Sequence, residues 1–191
     1  MENSRYIIFV LACVILRTEA VPEYRRVVGH IGDAVRAYED VMIDEEAELI
    51  IATVAKVTSK KVTPSIAFHD FSVGYSVIKL VEKGVCYIEK TRHSMDYLTD
   101  ILYQAERDNG DYEIRQTFKC TSKTFVEPSE VVMYGERIAA FCKDYESVFV
   151  EKDYTMRSKR ETIAFEEESV WCLICSGSCN TNPPKVLTDK R

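Results

Sequence analysis

The stretch FHDFSVGYSVIKLVEKGVCYIEK, residues 68–90, carries the clearest indication of how this chain folds. Aromatic and β-branched residues, which favour strands, fill Tyr75–Val81 and Val85–Ile88. Gly74 and Gly84 stand directly before these segments, where turns are expected. We therefore predict two successive strands.

A hairpin is predicted immediately upstream. Leu49–Val57 and Val62–Phe68 are strand-like runs, and the polar residues Thr58–Lys61 separate them. Pro64 has no N–H to donate to a sheet, so the second strand either lies at an edge or begins after Pro64.

Two helices are predicted further along, where the spacing of apolar residues changes to three and four. Apolar residues recur on one face of residues 95–105, with Ser94 at the N-cap position. A second helix begins at Pro128–Glu130 and ends near Cys142. Shorter strand-like runs lie between and after the helices. Because strands outnumber helices and do not alternate regularly with them, the predicted class is α+β with a largely antiparallel sheet.

The first residues of the chain are typical of a targeting segment. Residues 1–20 combine a basic start, the apolar run Tyr6–Leu16 and a small-residue exit, which predicts a signal peptide cleaved after Ala20. An uncleaved membrane anchor is the alternative, although the apolar run is shorter than the roughly 20 residues that span a bilayer. Residues 21–46 are polar and mixed, so we expect a linker or propeptide there, or alternatively a first helix.

Composition excludes several classes of function. The net charge of −6 leaves no basic stripe for phosphates, so we expect no nucleic-acid partner. The three histidines follow no metal-ligand spacing and no nucleophile-elbow serine occurs, so we expect neither an enzyme nor a cofactor. Of the seven cysteines only Cys13 lies in the signal segment, and the other six would enter an oxidising compartment where disulfides persist. The predicted localisation is secreted, through the endoplasmic reticulum.

Residues 47–154 resemble the BRICHOS domain family. The resemblance rests on four short motifs: Phe68–Phe71 followed by Gly74, Cys86-Tyr87, Gln116–Phe118, and Phe141-Cys142. It implies a sheet of about five strands with two helices packed on it and a disulfide between Cys86 and Cys142. It also implies a chaperone-like action on β-prone segments.

Asp70 has two interpretations from the residues alone. In the first, it lies within an apolar strand between aromatic neighbours, where a buried carboxyl must be hydrogen-bonded or protonated. Alternatively, it ends the strand and caps a turn with Ser72 and Gly74. The resemblance implies a structural or pH-sensing role, because Asp70 aligns with the acidic residue that defines the family.

The segment after the predicted domain carries a processing signal and a β-prone run. Residues 155–160 contain Arg157, Lys159 and Arg160 in the Arg-x-Lys-Arg pattern that furin-type convertases cut. Cleavage after Arg160 would produce a cysteine-containing peptide, residues 161–191. Within it lies an apolar, uncharged run that we interpret as the client of the domain: Val170, Trp171, Cys172, Leu173, Ile174 and Cys175.

Four cysteines remain after the implied pair, namely Cys120, Cys172, Cys175 and Cys179. Either Cys120 bridges to the tail and keeps it attached after cleavage, or one tail cysteine is free or intermolecular. A zinc site built from these four residues is a further alternative.

The predicted function is that of a secreted precursor whose domain acts as an intramolecular chaperone for the tail. The layout resembles annelid precursors of antimicrobial peptides, which suggests a host-defence peptide. Membrane binding by the tail is left open, since residues 161–191 carry five acidic and three basic residues, a net charge of about −2. The alternative is an uncleaved gastrokine-like factor whose tail is pinned by a Cys120 bridge.

Overall fold

The computed structural model describes residues 21–31, 35–156 and 169–179. These residues form twelve strands of one mixed sheet. The strands are β1 Glu23–Ile31, β2 Val35–Asp44, β3 Leu49–Val57, β4 Val62–Thr63, β5 Ile66–Asp70, β6 Tyr75–Leu80, β7 Val85–Lys90, β8 Asp111–Glu113, β9 Gln116–Val126, β10 Glu146–Met156, β11 Ser169–Cys172 and β12 Cys175–Ser178. Two α-helices, α1 Met95–Arg107 and α2 Glu136–Cys142, and two 3-10 turns, Val81–Lys83 and Val131–Tyr134, complete the described elements.

The strand order is β4-β11-β12-β9-β10-β7-β6-β5-β3-β2-β1-β8. Most neighbours are antiparallel, whereas the pairs β1/β8, β7/β10, β4/β11 and β9/β12 are parallel. Only Pro64 and Ser65 separate β4 from β5, and β5 begins after Pro64 as the missing N–H predicts. The strands between β4 and β5 in this order therefore curve round, so that β4 and β5, which are consecutive in the chain, lie near each other. β11 and β12 fill the gap between β4 and β9.

The predicted fold class, a five-strand sheet with two helices packed on it, is wrong. The described part of the chain is dominated by strands, and twelve of them share one mixed sheet. The family motifs cover only the middle of that sheet. Strands β1 and β2 on one side, and β11 and β12 on the other, come from segments that were assigned to a linker and a tail.

Residues 21–46 contain two long strands in place of the expected linker or helix. β1 and β2 pair in antiparallel register from Glu23↔Ile43 to Ile31↔Val35. In β2, buried and exposed residues alternate along residues 35–41. The alternation was obscured because Ala37 and Glu39, neither of them typical of a strand core, occupy inward positions.

The prediction for the first helix is confirmed. The Ser94 side chain accepts a hydrogen bond from the Tyr97 amide at α1, and the apolar face buries Leu98, Leu102 and Ala105. The second predicted helix is divided, because Gly135, with φ 129°, separates a 3-10 turn from the seven-residue α2. No helix among the described residues is long and apolar enough to cross a membrane.

Buried residues form three clusters. The first lies between β1–β3 and α1 and includes Trp171 and Leu173 of the tail. The second joins β6, β9 and β10 to Val170 and three tail cysteines. The third packs α2 against β5–β7, and the Cys86–Cys142 disulfide, with Cα atoms 6.0 Å apart, lies within it.

Removing the Cys86–Cys142 disulfide, which joins residues 56 positions apart, should lower the free energy of unfolding by about 4 kcal/mol, because the unfolded chain regains loop entropy. The change is the double substitution Cys86→Ala with Cys142→Ala, measured by urea denaturation. The matched control is Cys172→Ala with Cys175→Ala, which removes the same atoms from a pair only 3 positions apart. Equal losses in the two variants would contradict the loop-entropy argument.

Candidate functional site

The candidate site is the place in the sheet that holds residues 169–179, which we call the tail hairpin. β11 runs parallel to β4, with Ser169 opposite Val62, and β12 runs parallel to β9, with Cys175 opposite Gln116. β11 and β12 pair with each other around the turn Leu173-Ile174. The whole predicted client segment, Val170–Cys175, therefore lies inside the sheet of the domain.

Both faces of the tail hairpin are covered. Trp171 and Leu173, 0% and 1% exposed, face the cluster of β1–β3 and α1. Val170 and Cys172 face the opposite cluster, against β6, β9 and β10. At about 25 cal/mol per Å², an aromatic side chain that buries roughly 200 Å² contributes about 5 kcal/mol. The tail hairpin is thus a structural part of the core.

Two disulfides fasten the tail hairpin. Cys120 of β9 is bonded to Cys179, and Cys172 is bonded to Cys175 across the turn. Cys120 therefore bridges to the tail, which was one of the predicted alternatives. The pairing leaves none of these four thiols for zinc, and no group of acidic, His or Cys residues in the described ranges is placed to hold a metal ion.

Polar side chains from distant parts of the sequence contact Trp171 and the backbone beside it. Its Nε1–H donates to Glu39 Oε1 at 2.9 Å, and Ser65 Oγ donates to the Trp171 carbonyl oxygen. Tyr112 Oη of β8 lies within hydrogen-bond distance of Glu39 Oε1 and of the Leu173 carbonyl oxygen. Glu39 is 0% exposed. Burial raises its pKa to about 7, although the hydrogen bonds from Tyr112 and Trp171 act in the opposite direction.

Two glycines make the close approach of the tail hairpin possible. A methyl group at Gly29 of β1 would lie 2.6 Å from Trp171 Cζ2, and one at Gly177 would lie 2.6 Å from Phe118 Cγ. Both distances are far shorter than a van der Waals contact. Side chains at these positions would therefore exclude the indole from its place, or β12 from β9.

A second buried polar group lies beneath the turn of the tail hairpin. Lys152 Nζ contacts Glu89 Oε1 at 2.6 Å, and Tyr154 Oη donates to Glu89 Oε2 at 2.9 Å. His69 lines the same cavity as Cys172 and Cys175, and burial lowers its pKa to about 4. Burial also lowers the pKa of Lys152, which the contact with Glu89 partly offsets. The group supplies charge pairing at the junction of β7, β10 and the tail.

Asp70 combines features of both interpretations of the sequence. It is 1% exposed, and Ser72 Oγ donates to its Oδ1 at 2.6 Å. The Gly74 amide donates to its carbonyl oxygen, which forms the predicted turn. Arg137 Nε of α2 lies 3.3 Å from Asp70 Oδ2, so the carboxyl joins the end of β5 to the second helix. These contacts give Asp70 a structural position, and a pH-sensing role stays a prediction.

The predicted processing residues Ala20, Arg157, Lys159 and Arg160 lie outside the described residues. In contrast, Gly29, Glu39 and Tyr112 are residues of the site that the sequence analysis missed. The signal that could have found Glu39 is the alternation along β2, in which it takes an inward position between Ala37 and Val41.

These features define a disulfide-linked, sheet-dominated domain that encloses a hairpin of its own chain. Residues 61–147 match the family model of the BRICHOS domain, so this chain contains a BRICHOS domain. No curated protein and no solved structure matches the chain. The BRICHOS domain and the three disulfides are consistent with a secreted or luminal protein.

Gly29→Ala should expose Trp171, because the added methyl group occupies space that the indole ring needs. Trp171 is the single tryptophan of the chain, so a red shift of emission and stronger acrylamide quenching report this directly. The control is Gly84→Ala, where the methyl group meets no atom within 4 Å but the backbone has φ +67°. The control should lose about 1 kcal/mol of stability with an unchanged emission maximum. A buried Trp171 in Gly29→Ala would contradict the steric argument.

Proposed function

We propose that this BRICHOS domain acts as an intramolecular chaperone whose client is its own tail hairpin. The observation that carries the proposal is the place of residues 169–179 in the sheet, paired on both edges and covered on both faces. The role is one of binding and protection, without catalysis or a cofactor, and the partner is a segment of the same chain.

The composition of the tail explains why it needs protection. An uncharged, apolar run without Pro or Gly is prone to pair with copies of itself when its backbone groups are unpaired. In the domain, β4 and β9 supply partners for the outer edges of β11 and β12. The edges that would recruit another chain are therefore occupied from within.

We further propose that a furin-type convertase cuts after Arg160 during secretion. β10 ends at Met156 and β11 begins at Ser169, so a cut after Arg160 would fall in the connection between them. These two strands are not neighbours in the sheet, so the cut would break no strand pairing between them. The Cys120–Cys179 disulfide and the strand pairing would then keep the tail on the domain. Cleavage would produce two chains that remain bound, and full release would also need reduction.

The second candidate is an uncleaved, gastrokine-like secreted factor. The Cys120–Cys179 disulfide supports it, because the bond pins the tail to β9. A host-defence role of residues 161–191 stays a prediction from the resemblance. It would require release, and the net charge of about −2 weakens attraction to anionic membranes.

Intact mass spectrometry of the secreted protein separates the two candidates. Cleavage after Arg160 predicts one mass before reduction and two chains after it, whereas the uncleaved factor gives one chain in both states. Loss of the tail without reduction would contradict the retained disulfide that both candidates share.

The chaperone proposal is tested by removing the covalent bond and retaining the pairing. In the full chain with Cys120→Ala and Cys179→Ala, convertase cleavage should leave the tail co-eluting with the domain in gel filtration, without thioflavin fluorescence. Adding Gly177→Ala, which blocks the approach of β12 to β9, should free the tail and allow it to aggregate.

Gly84→Ala in the same background is the control, since its methyl group meets nothing within 4 Å. Its tail should stay bound. If the tail of the Gly177→Ala protein remains soluble after dissociation, protection by the domain is not needed and the proposal fails.

A further inference from the structure

We propose that Glu39, Gly29 and Tyr112 form a tryptophan-specific slot through which the domain recognises its client, with Glu39 in the protonated form. The inference rests on the proposed function and names what determines its specificity. Gly29, Glu39 and Trp171 lie outside residues 61–147, the part that matches the family model, and Tyr112 lies inside it. Two of the three slot residues and the tryptophan that they contact are therefore features of this chain beyond the matched domain.

The slot is built by two neighbouring strands and a third strand beside them. Gly29 of β1 leaves room for the six-membered ring of the indole, and Glu39 of β2 accepts from the indole N–H at 2.9 Å. Tyr112 of β8 closes the slot from the other side of β1. Shape and hydrogen bonding thus act on one side chain of the client, Trp171.

The polar contact discriminates tryptophan from other apolar residues. Phenylalanine or leucine at position 171 fills part of the same space but has no donor for Glu39. Glu39 Oε2 is already buried without a hydrogen-bond partner, so loss of the indole N–H leaves only Tyr112 in contact with the carboxyl. Leaving a buried acceptor without its donor should favour opening of the tail hairpin by about tenfold or more.

A count of protons favours the neutral carboxyl. The Tyr112 hydroxyl has one proton but lies between two acceptor oxygens, Glu39 Oε1 and the Leu173 carbonyl. If Glu39 is protonated, it donates to Tyr112 Oη, which in turn donates to the Leu173 carbonyl. Trp171 also donates to Glu39, and each proton in this series of three hydrogen bonds then has an acceptor. With Glu39 ionised, Tyr112 can serve only one of its two acceptors.

Among the residues that the structure describes, none of those that face Glu39 carries a positive charge. Its register neighbours are Val27 of β1 and Val54 of β3, β8 contributes Tyr112, and the tail hairpin contributes Trp171. Of these only Tyr112 titrates, and burial raises its pKa well above the usual value. Desolvation of Glu39 is therefore not offset by an ion pair among the described residues.

The sign of the pH effect follows from the raised pKa of Glu39. Glu39 binds its proton more tightly when the tail hairpin is in place than when Glu39 is exposed to water. The bound proton therefore stabilises the folded state fully below pH 4.5, the ordinary pKa of a glutamate, and this stabilisation is lost as the pH rises to about 7. His69 acts in the opposite sense, because its lowered pKa favours the folded state as pH rises from about 4 to 6.5. The effect of Glu39 is therefore measured as a difference between the wild type and Glu39→Gln.

The specificity experiment is a double-mutant cycle in the full chain, with Trp171→Phe, Glu39→Leu and the combined variant. Hydrogen–deuterium exchange of the amides of residues 169–178 measures opening of the tail hairpin. We expect the increase in opening caused by Trp171→Phe to be about tenfold larger beside Glu39 than in the Glu39→Leu background, because the cavity left by the smaller ring is common to both. Glu127→Leu, at an exposed position, is the control background and should give the same increase as the wild-type background.

The same increase in both backgrounds would overturn the slot as a determinant of specificity. Fast exchange of residues 169–178 in the wild type would be a different result, since it would contradict the proposed function itself. The two failures are therefore distinguishable in one experiment.

The pH experiment covers the case in which the Glu39→Leu protein does not fold. Acrylamide quenching of Trp171 is followed from pH 4.5 to 7 in the wild type, in Glu39→Gln and in Glu127→Gln. We expect quenching to rise with pH in the wild type and in Glu127→Gln relative to Glu39→Gln. Identical dependence of quenching on pH in all three proteins would contradict the protonation of Glu39 in the slot.

Discussion

Burial of the tail hairpin on both faces joins the two halves of this sheet. β11 and β12 fill the interval between β4 and β9, and their side chains reach two separate clusters of the core. Gly29 and Gly177 remain without side chains because the hairpin approaches their backbone closely. Without the hairpin, two strand edges and both clusters would face water, which is costly for backbone groups and apolar surface alike.

Under the proposed function, the client is a component of the domain that protects it. Strand pairing would supply sequence-independent affinity, whereas the Trp171 contact with Glu39 would supply selectivity. After a cut at Arg160, the Cys120–Cys179 disulfide would keep the association intramolecular, with a high effective concentration of the tail. A convertase cut alone would therefore change the connectivity of the protein without separating its parts.

Local patterns predicted some elements correctly and concealed others. The α1 helix with its Ser94 cap, the start of β5 after Pro64 and the strands around Gly74 follow from short-range chemistry. β1 and β2 were missed because burial of Glu39 and Ala37 breaks the usual apolar alternation. The position of the carboxyl is explained only by its hydrogen-bond partners, Tyr112 and Trp171, which are 73 and 132 residues away.

The family, the β-prone character of the tail and the helix signals can be predicted from the amino-acid sequence, because they depend on motifs and neighbouring residues. The place of the tail between β4 and β9, the Cys120–Cys179 pair and the strands in residues 21–46 became known from the fold. The difference lies in the range of the interactions. Strand pairing and the burial of a carboxyl depend on partners that are far apart in the chain. The spacing of residues along the sequence does not specify which distant segments will pair.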